Sequence, residues 1–170
     1  ILWLIRNVPD IKKTLDTDVC FGTIDSWLIY NLTGNYYTDV TNASRTLLYD
    51  LYKMEWSKDL LSKLSIPINS LPEVKPSFSN FGELKEIIPG VPVTAVLGDQ
   101  QAALFGQNCT KKGDVKNTYG TGCFALTNTG NNIVNSDNGL LTTIAYQKEG
   151  EDAMYALEGS VLLLELRFNG

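Results

Sequence analysis

Histidine is absent from this 170-residue chain, and cysteine occurs only at Cys20, Cys109 and Cys123. With no imidazole there is no histidine general base and nothing to complete a histidine zinc site, and three scattered cysteines are too few for a disulfide framework. A reducing cytoplasm is the expected compartment. Basic residues are also short: 14 Lys and Arg against 19 Asp and Glu leave a net charge of −5. That argues against nucleic acid as a partner, because phosphate-backbone binding is led by Lys and Arg, but it leaves room for a local site that holds a small polyanion. No apolar run reaches transmembrane length, so no membrane span is expected, and the N-terminus lacks the basic region and small-residue cleavage site of a signal peptide. The triplets Asn31-Leu32-Thr33, Asn42-Ala43-Ser44 and Asn108-Cys109-Thr110 fit a glycosylation pattern. Without a secretory signal they are read as chance. Repeats and low-complexity tracts are lacking too.

What is present is globular in composition. The chain is 44% apolar and 19% charged, enough for the core of one domain or parts of two. It begins at Ile1 rather than Met, which reads as a piece of something longer. Ile1 to Asn7 reads as the end of an apolar-faced helix, with Pro9 as a stop or restart signal. Thr23 caps an expected helix over Ile24 to Tyr30, with an acidic first turn, apolar positions at helical spacing and Gly34 where it ends. Tyr36 to Asp50 reads as turn-like and polar in its middle, then β-leaning at Thr46 to Tyr49. Ser57 caps a short helix whose Leu60, Leu61 and Leu64 share a face, and Pro67, Pro72 and Pro76 make an extended connector. Beyond Cys109 the pattern becomes strand-rich. Asp114 to Tyr119 and Phe124 to Asn128 form the arms of a hairpin around Gly120-Thr121-Gly122, and further strands are expected over Leu140 to Tyr146 and Ala153 to Leu157. The switch near Cys109 is the candidate domain boundary.

The chemistry concentrates in two stretches. The β-branched run Val91 to Leu97 suits a strand buried on both faces, Gly98 lets the backbone turn, and Asp99 opens a small-residue helix at the strand's carboxyl end, where ligands of α/β sheets bind. A few turns later Gly120-Thr121-Gly122 can form a concavity in which the Thr121 hydroxyl and N–H point at a phosphoryl oxygen. Phe124 just beyond can wall a small-ligand pocket. Each residue has a plainer reading as well. Asp99 can simply cap its helix, the glycines can supply positive φ to an ordinary hairpin loop, and Phe124 can be core. Lys111-Lys112 reads as a solvated turn.

Gly98-Asp99-Gln100-Gln101-Ala102-Ala103-Leu104-Phe105-Gly106-Gln107 and Asn117-Thr118-Tyr119-Gly120-Thr121-Gly122-Cys123-Phe124 closely resemble the FGGY family of carbohydrate kinases, and within it the members that phosphorylate glycerol. Thr41 to Thr46, Leu71 to Val74, Asn138 to Thr143 and Ala156 to Ser160 resemble it too, so the likeness covers about residues 1 to 160. It implies an α/β, ribonuclease-H-like fold of the actin and hexokinase ATPase type, with parts of two domains: 1–108 from the N-terminal domain, 109–160 from the start of the C-terminal domain, and 161–170 as a divergent tail. It implies ATP and Mg2+ as cofactors and glycerol as substrate, and it leaves a homo-oligomeric parent open. Asp99 matches the catalytic base and is also where the likeness places the metal. Asp99, Gln100 and Phe124 match substrate-binding residues, and Thr121 with Gly120 and Gly122 matches the nucleotide-phosphate turn. The family's upstream phosphate and magnesium segment and its downstream adenosine segment have no counterpart here, so the likeness implies a central segment without activity by itself. Members that bind fructose 1,6-bisphosphate carry a glycine-rich basic loop where this chain has the shorter, net acidic Asn80 to Glu86, a poor cradle for a bisphosphate. Two alternatives stand beside this expectation: an FGGY kinase for a pentose or another polyol, which Phe124 and Asp99-Gln100-Gln101 disfavour, and a non-catalytic remnant that binds a partner or nothing.

Overall fold

The computed structural model describes residues 1–15, 17–120 and 122–162. Thr121 and the tail beyond Leu162 therefore lie outside the described residues. The chain divides into two compact units, the first Ile1–Leu97 and the second from Gly98 onward.

The first unit opens with α1 (Leu2–Asn7) and α2 (Pro9–Thr14). Pro9 restarts the helix rather than stopping it, because a first-turn residue has no intrahelical use for the N–H that proline lacks. In α3 (Ile24–Thr33), Thr23 takes the N-cap position, and Gly34 ends the helix in the left-handed region at φ 77° with its N–H on the Tyr30 carbonyl at 2.8 Å. Its burial reverses the apolar pattern. Asp25, Ser26, Ile29 and Thr33 face inward, whereas Ile24 is 70% and Trp27 61% exposed. The inward polar groups are largely satisfied: the Asp25 carboxylate accepts from Thr23 Oγ1, and from Thr38 Oγ1 at 2.6 Å, while Thr33 Oγ1 donates to the Ile29 carbonyl at 2.8 Å. Ser26 also packs so closely under Gly22 that a Cβ there would lie 2.7 Å from the serine Cβ.

The stretch read as turn-like holds β1 (Tyr37–Asp39) and the single-turn α4 (Val40–Ala43), organised by Asp39. That side chain is fully buried and caps α4. Its carboxylate accepts from Thr41 N at 3.0 Å and Oγ1 at 2.9 Å, Asn42 N at 3.0 Å and Nδ2 at 2.8 Å, and Ser77 Oγ at 2.7 Å. Burial pushes its pKa above the ordinary carboxylate value, and hydrogen bonds from Asn42, Ser77 and Thr41 pull it back. The Asn42 amide is thus committed to Asp39.

A short antiparallel pair, β2 (Tyr49–Asp50) and β3 (Glu55–Trp56), follows, with the Tyr49 and Trp56 rings edge to face at 5.5 Å. Ser57 caps α5 (Lys58–Leu64), which buries Leu61 but leaves Leu60 exposed. The proline-rich connector contains β4 (Glu73–Lys75), parallel to β1, because Pro72 and Pro76 flank the three paired residues instead of interrupting them.

Val91 to Leu97 departs from expectation. It is not a strand buried on both faces: single bridges join Pro92 to Glu83 and Ala95 to Phe78, and Val91 is 42% exposed. Backbone bonds at Phe81 N to Val93 O (2.9 Å), Val93 N to Gly82 O (2.8 Å) and Val96 N to Ser77 O (2.9 Å) tie it to residues 77–82. Pro92 has no N–H for a continuous ladder, and the pairing is confined to one side among the described residues.

The second unit contains α6 (Asp99–Gly106) and a sheet of β5 (Val115–Tyr119), β6 (Gly122–Gly130), β7 (Leu141–Tyr146) and β8 (Met154–Leu162) in the order β5-β6-β8-β7, every neighbour antiparallel. The hairpin and both later strands match the sequence reading. Leu104 of α6 and Leu126, Ile144 and Ala156 of the sheet are fully buried in its core.

Replacing Asp39 by alanine leaves two backbone N–H groups and three side-chain donors without their shared acceptor. The expected cost is about 3 kcal/mol or more, since each buried donor left unsatisfied costs about 1–3 kcal/mol. Urea unfolding of Asp39→Ala against the parental chain measures it, and a loss below about 1 kcal/mol would contradict the central role given to this carboxylate.

Candidate functional site

The site is built around the start of α6. Gly98 takes the N-cap position with ordinary extended angles, φ −61° and ψ 153°, so the turn does not demand glycine. Having no side chain, Gly98 leaves the helix without a side-chain cap. Asp99 is the first helical residue rather than the cap: it is exposed, and its Oδ1 accepts the Gln100 N–H at 2.8 Å. The plainer reading of Asp99 as a capping residue is therefore not realised. An exposed carboxylate in the first turn of a helix is favoured by the helix dipole and is accessible to a ligand.

The next two residues anchor α6 to the sheet. Gln101 is buried, with Nε2 donating to Thr143 Oγ1 in β7 at 3.2 Å. Gln100 Oε1 accepts from Lys116 Nζ in β5, and the same ammonium donates to Thr118 Oγ1 at 2.8 Å. Lys116 is only 1% exposed. Burial lowers its pKa, and the negative charges of Glu158 and Asp99 oppose that shift. Glu158, in β8, is itself buried.

Lys116 and Glu158 are functional candidates that residue patterns do not reveal. Alternation in Val115-Lys116-Asn117-Thr118-Tyr119 would turn the valine and tyrosine inward, yet Val115 is 57% and Tyr119 76% exposed. Register supplies what alternation misses. Lys116 lies opposite Leu126, and Leu126 opposite Glu158, while Thr118 lies opposite Phe124 and Phe124 opposite Ser160. Residues directly opposite across antiparallel strands project from the same face, so Lys116, Thr118, Phe124 and Glu158 share the face to which α6 is tied. Half-buried Phe124 thus belongs to the same face as Gln100 and its lysine.

The turn between β5 and β6 is only partly described. Gly120 N donates to the Gly122 carbonyl at 3.0 Å, closing it. Gly120 does not have positive φ, and a Cβ there would meet nothing nearer than the Gly122 carbonyl oxygen at 3.8 Å. Gly120 is exposed, with the Gly122 carbonyl in ordinary contact distance, and the reading in which it merely supplies positive φ does not hold for Gly120. A cavity of about 510 Å³ lies beside the strands that enter and leave the turn, lined by Asn117, Cys123, Ala125, Asn138, Gly159 and Ser160 among others. This volume is within the range of ligand pockets, and the lining is rich in polar groups.

No cluster of three or more metal-ligating side chains occurs among the described residues. The lone exposed carboxylate of Asp99 suits Mg2+ that arrives with phosphate and water ligands, the usual pattern for that ion, rather than a cation held by protein alone. Cys20, Cys109 and Cys123 are free thiols. Among the described residues no helix is long and apolar enough to cross a membrane.

The model of the FGGY family of carbohydrate kinases, N-terminal domain, matches residues 1–106. Glycerol kinase of Haloferax volcanii is 50% identical over 95% of this chain and 35% of its own length, and glycerol kinase of Mycoplasma genitalium is 52% identical over 96% and 34%. The crystal structure of Plasmodium falciparum glycerol kinase with ADP superposes with a TM-score of 0.90 at 46% identity, covering 94% of this chain and 33% of that one. A ligand-bound xylulose kinase from Lactobacillus acidophilus superposes at 0.77 with 20% identity over 94% of this chain and 33% of its own, a likeness of fold alone. The chain spans about a third of the length of the curated relatives it matches.

Because Asp99 is exposed and Gly98 holds the cap position, Asp99→Asn leaves the fold intact. Its melting temperature should stay close to the parental value, within the roughly 0.5 kcal/mol usual for surface substitutions. A large drop in thermal unfolding would mean that the carboxylate holds the helix.

Proposed function

We propose that this chain, which belongs to the FGGY family of carbohydrate kinases, is the central segment of a glycerol kinase that transfers the γ-phosphoryl group of ATP to glycerol to give glycerol 3-phosphate. Its described parts have the ribonuclease-H-like fold of actin- and hexokinase-type ATPases. Residues 1–108 are assigned to the end of the family's N-terminal domain and 109–160 to the start of its C-terminal domain. The observation that carries the reading is the exposed Asp99 on the first turn of α6, beside a Gln100 fixed to the sheet, in a chain about half identical to glycerol kinases.

In this reading Asp99 accepts the proton of the glycerol 3-hydroxyl as its oxygen forms a bond to the γ-phosphorus and the bond from that phosphorus to the bridging oxygen breaks, leaving ADP. Gln100 hydrogen-bonds a glycerol hydroxyl, and Phe124 lies along the carbon chain. Gly120, Thr121 and Gly122 approach the nucleotide phosphates, a role supported by the exposure of Gly120 at the closed turn. Asp99 would help to hold Mg2+, which would supply neutralisation of the charge on the transferring group. Three free thiols fit a cytoplasmic protein. A kinase for a pentose or another polyol is the second reading, which Phe124 and Asp99-Gln100-Gln101 disfavour.

Three outcomes are expected. The 170-residue chain alone forms no glycerol 3-phosphate from ATP above a no-protein control, because in-line positioning supplies much of the acceleration and the chain spans a third of its relatives. In the full-length protein, Asp99→Asn lowers kcat at least ~10²-fold, the lower range for loss of a general base. Across glycerol, xylitol, ribitol and xylulose, kcat/KM is highest for glycerol, and Phe124→Ala weakens glycerol use. Preference for xylulose or a pentitol would replace the glycerol assignment with the wider sugar-kinase reading.

A further inference from the structure

We infer that Lys116 is a positioning residue that sets the hydrogen-bonding polarity of Gln100, so that Gln100 meets the polyol as a donor and not as an acceptor. This rests on the reading of Gln100 as a polyol-binding residue.

A glutamine amide has nearly the same shape in its two orientations, so sterics alone do not decide which end faces a ligand. A lysine ammonium carries three donors and no acceptor. Placed against Gln100, Lys116 Nζ can be met only by Oε1, which leaves the Nε2 hydrogens directed away from the lysine. The bond is charge-assisted and so about twice as strong as a neutral one. Lys116 is itself held in place, because it is 1% exposed, its ammonium also donates to Thr118 Oγ1 at 2.8 Å, and its neighbours across the sheet place Leu126 and then Glu158 on the same face. Burial lowers its pKa, and the negative charges of Glu158 and Asp99 oppose that shift. A polyol oxygen that accepts from Gln100 keeps its own O–H for an acceptor such as Asp99. With the amide reversed, the same hydroxyl would have to spend its proton on Gln100. The lysine therefore acts on substrate through the glutamine and has no need to touch it.

The test uses the full-length protein in four forms, parental, Lys116→Met, Gln100→Ala and the double variant, assayed with ATP and with whichever polyol the parental protein uses best. Lys116→Met should lower kcat/KM for the polyol about tenfold or more while KM for ATP stays within about twofold. In the Gln100→Ala background the same change should cost no more than about twofold, because the group through which the lysine acts is gone. A second arm covers the case in which Lys116→Met fails to fold. Gln100→Glu keeps an acceptor for Lys116, so it should retain the parental melting temperature while losing polyol use at least tenfold, having no donor left to present. Full additivity of the lysine and glutamine changes, no effect of Lys116→Met on kcat/KM, or parental kcat/KM in Gln100→Glu each overturns the assignment. A parental protein that prefers another polyol overturns the glycerol reading alone. One that phosphorylates no polyol overturns both.

Discussion

A charge taken out of water must be met by groups of the right polarity, and both units are organised by that requirement. In the first, the buried Asp39 carboxylate gathers donors from α4 and Ser77, joining the end of β1 to a segment 38 residues away. In the second, the buried Lys116 ammonium gathers Gln100 and Thr118, joining α6 to β5. Leaving such groups unmet costs more than the net worth of any one hydrogen bond, so the partners are held in place.

The same requirement prepares the candidate site. Gln100 and Gln101 leave the first turn of α6 in different directions, and each finds the sheet through a side-chain bond, one to β5 and one to β7. The helix start is thereby tied to strands at both edges of the sheet, since the order is β5-β6-β8-β7. Asp99, one residue earlier, is left exposed. A helix start pinned at two points presents an exposed carboxylate whose surroundings do not have to reorganise to meet a ligand.

Several features follow from local chemistry and were legible in the residues. Pro9 at the start of α2, Gly34 ending α3, Ser57 capping α5 and the hairpin around Gly120 each depend on backbone preferences that a short segment carries with it. The motifs around Asp99 and Phe124 were legible for a similar reason, since they lie in short contiguous stretches. Apolar periodicity was a poorer guide wherever polar residues turn inward. In α3 the outward face holds Ile24 and Trp27 because Asp25 has its partners inside, and in β5 the outward face holds Val115 and Tyr119 because Lys116 has its own. The run 91–97 carried the composition of a central strand, yet its pairing depends on what lies beside it and on the N–H that Pro92 lacks.

By itself the sequence determined where helices and hairpins begin and end, which family the chain resembles, and that Asp99 opens a helix, because those properties depend on neighbours within a few positions. Only the tertiary structure decided that Phe124 shares a sheet face with Lys116 and Glu158, and that a lysine read as part of a hairpin arm is buried against Gln100. Those relations depend on strand register and on the meeting of residues 16 apart in the chain, and a single sequence does not encode either in its local pattern.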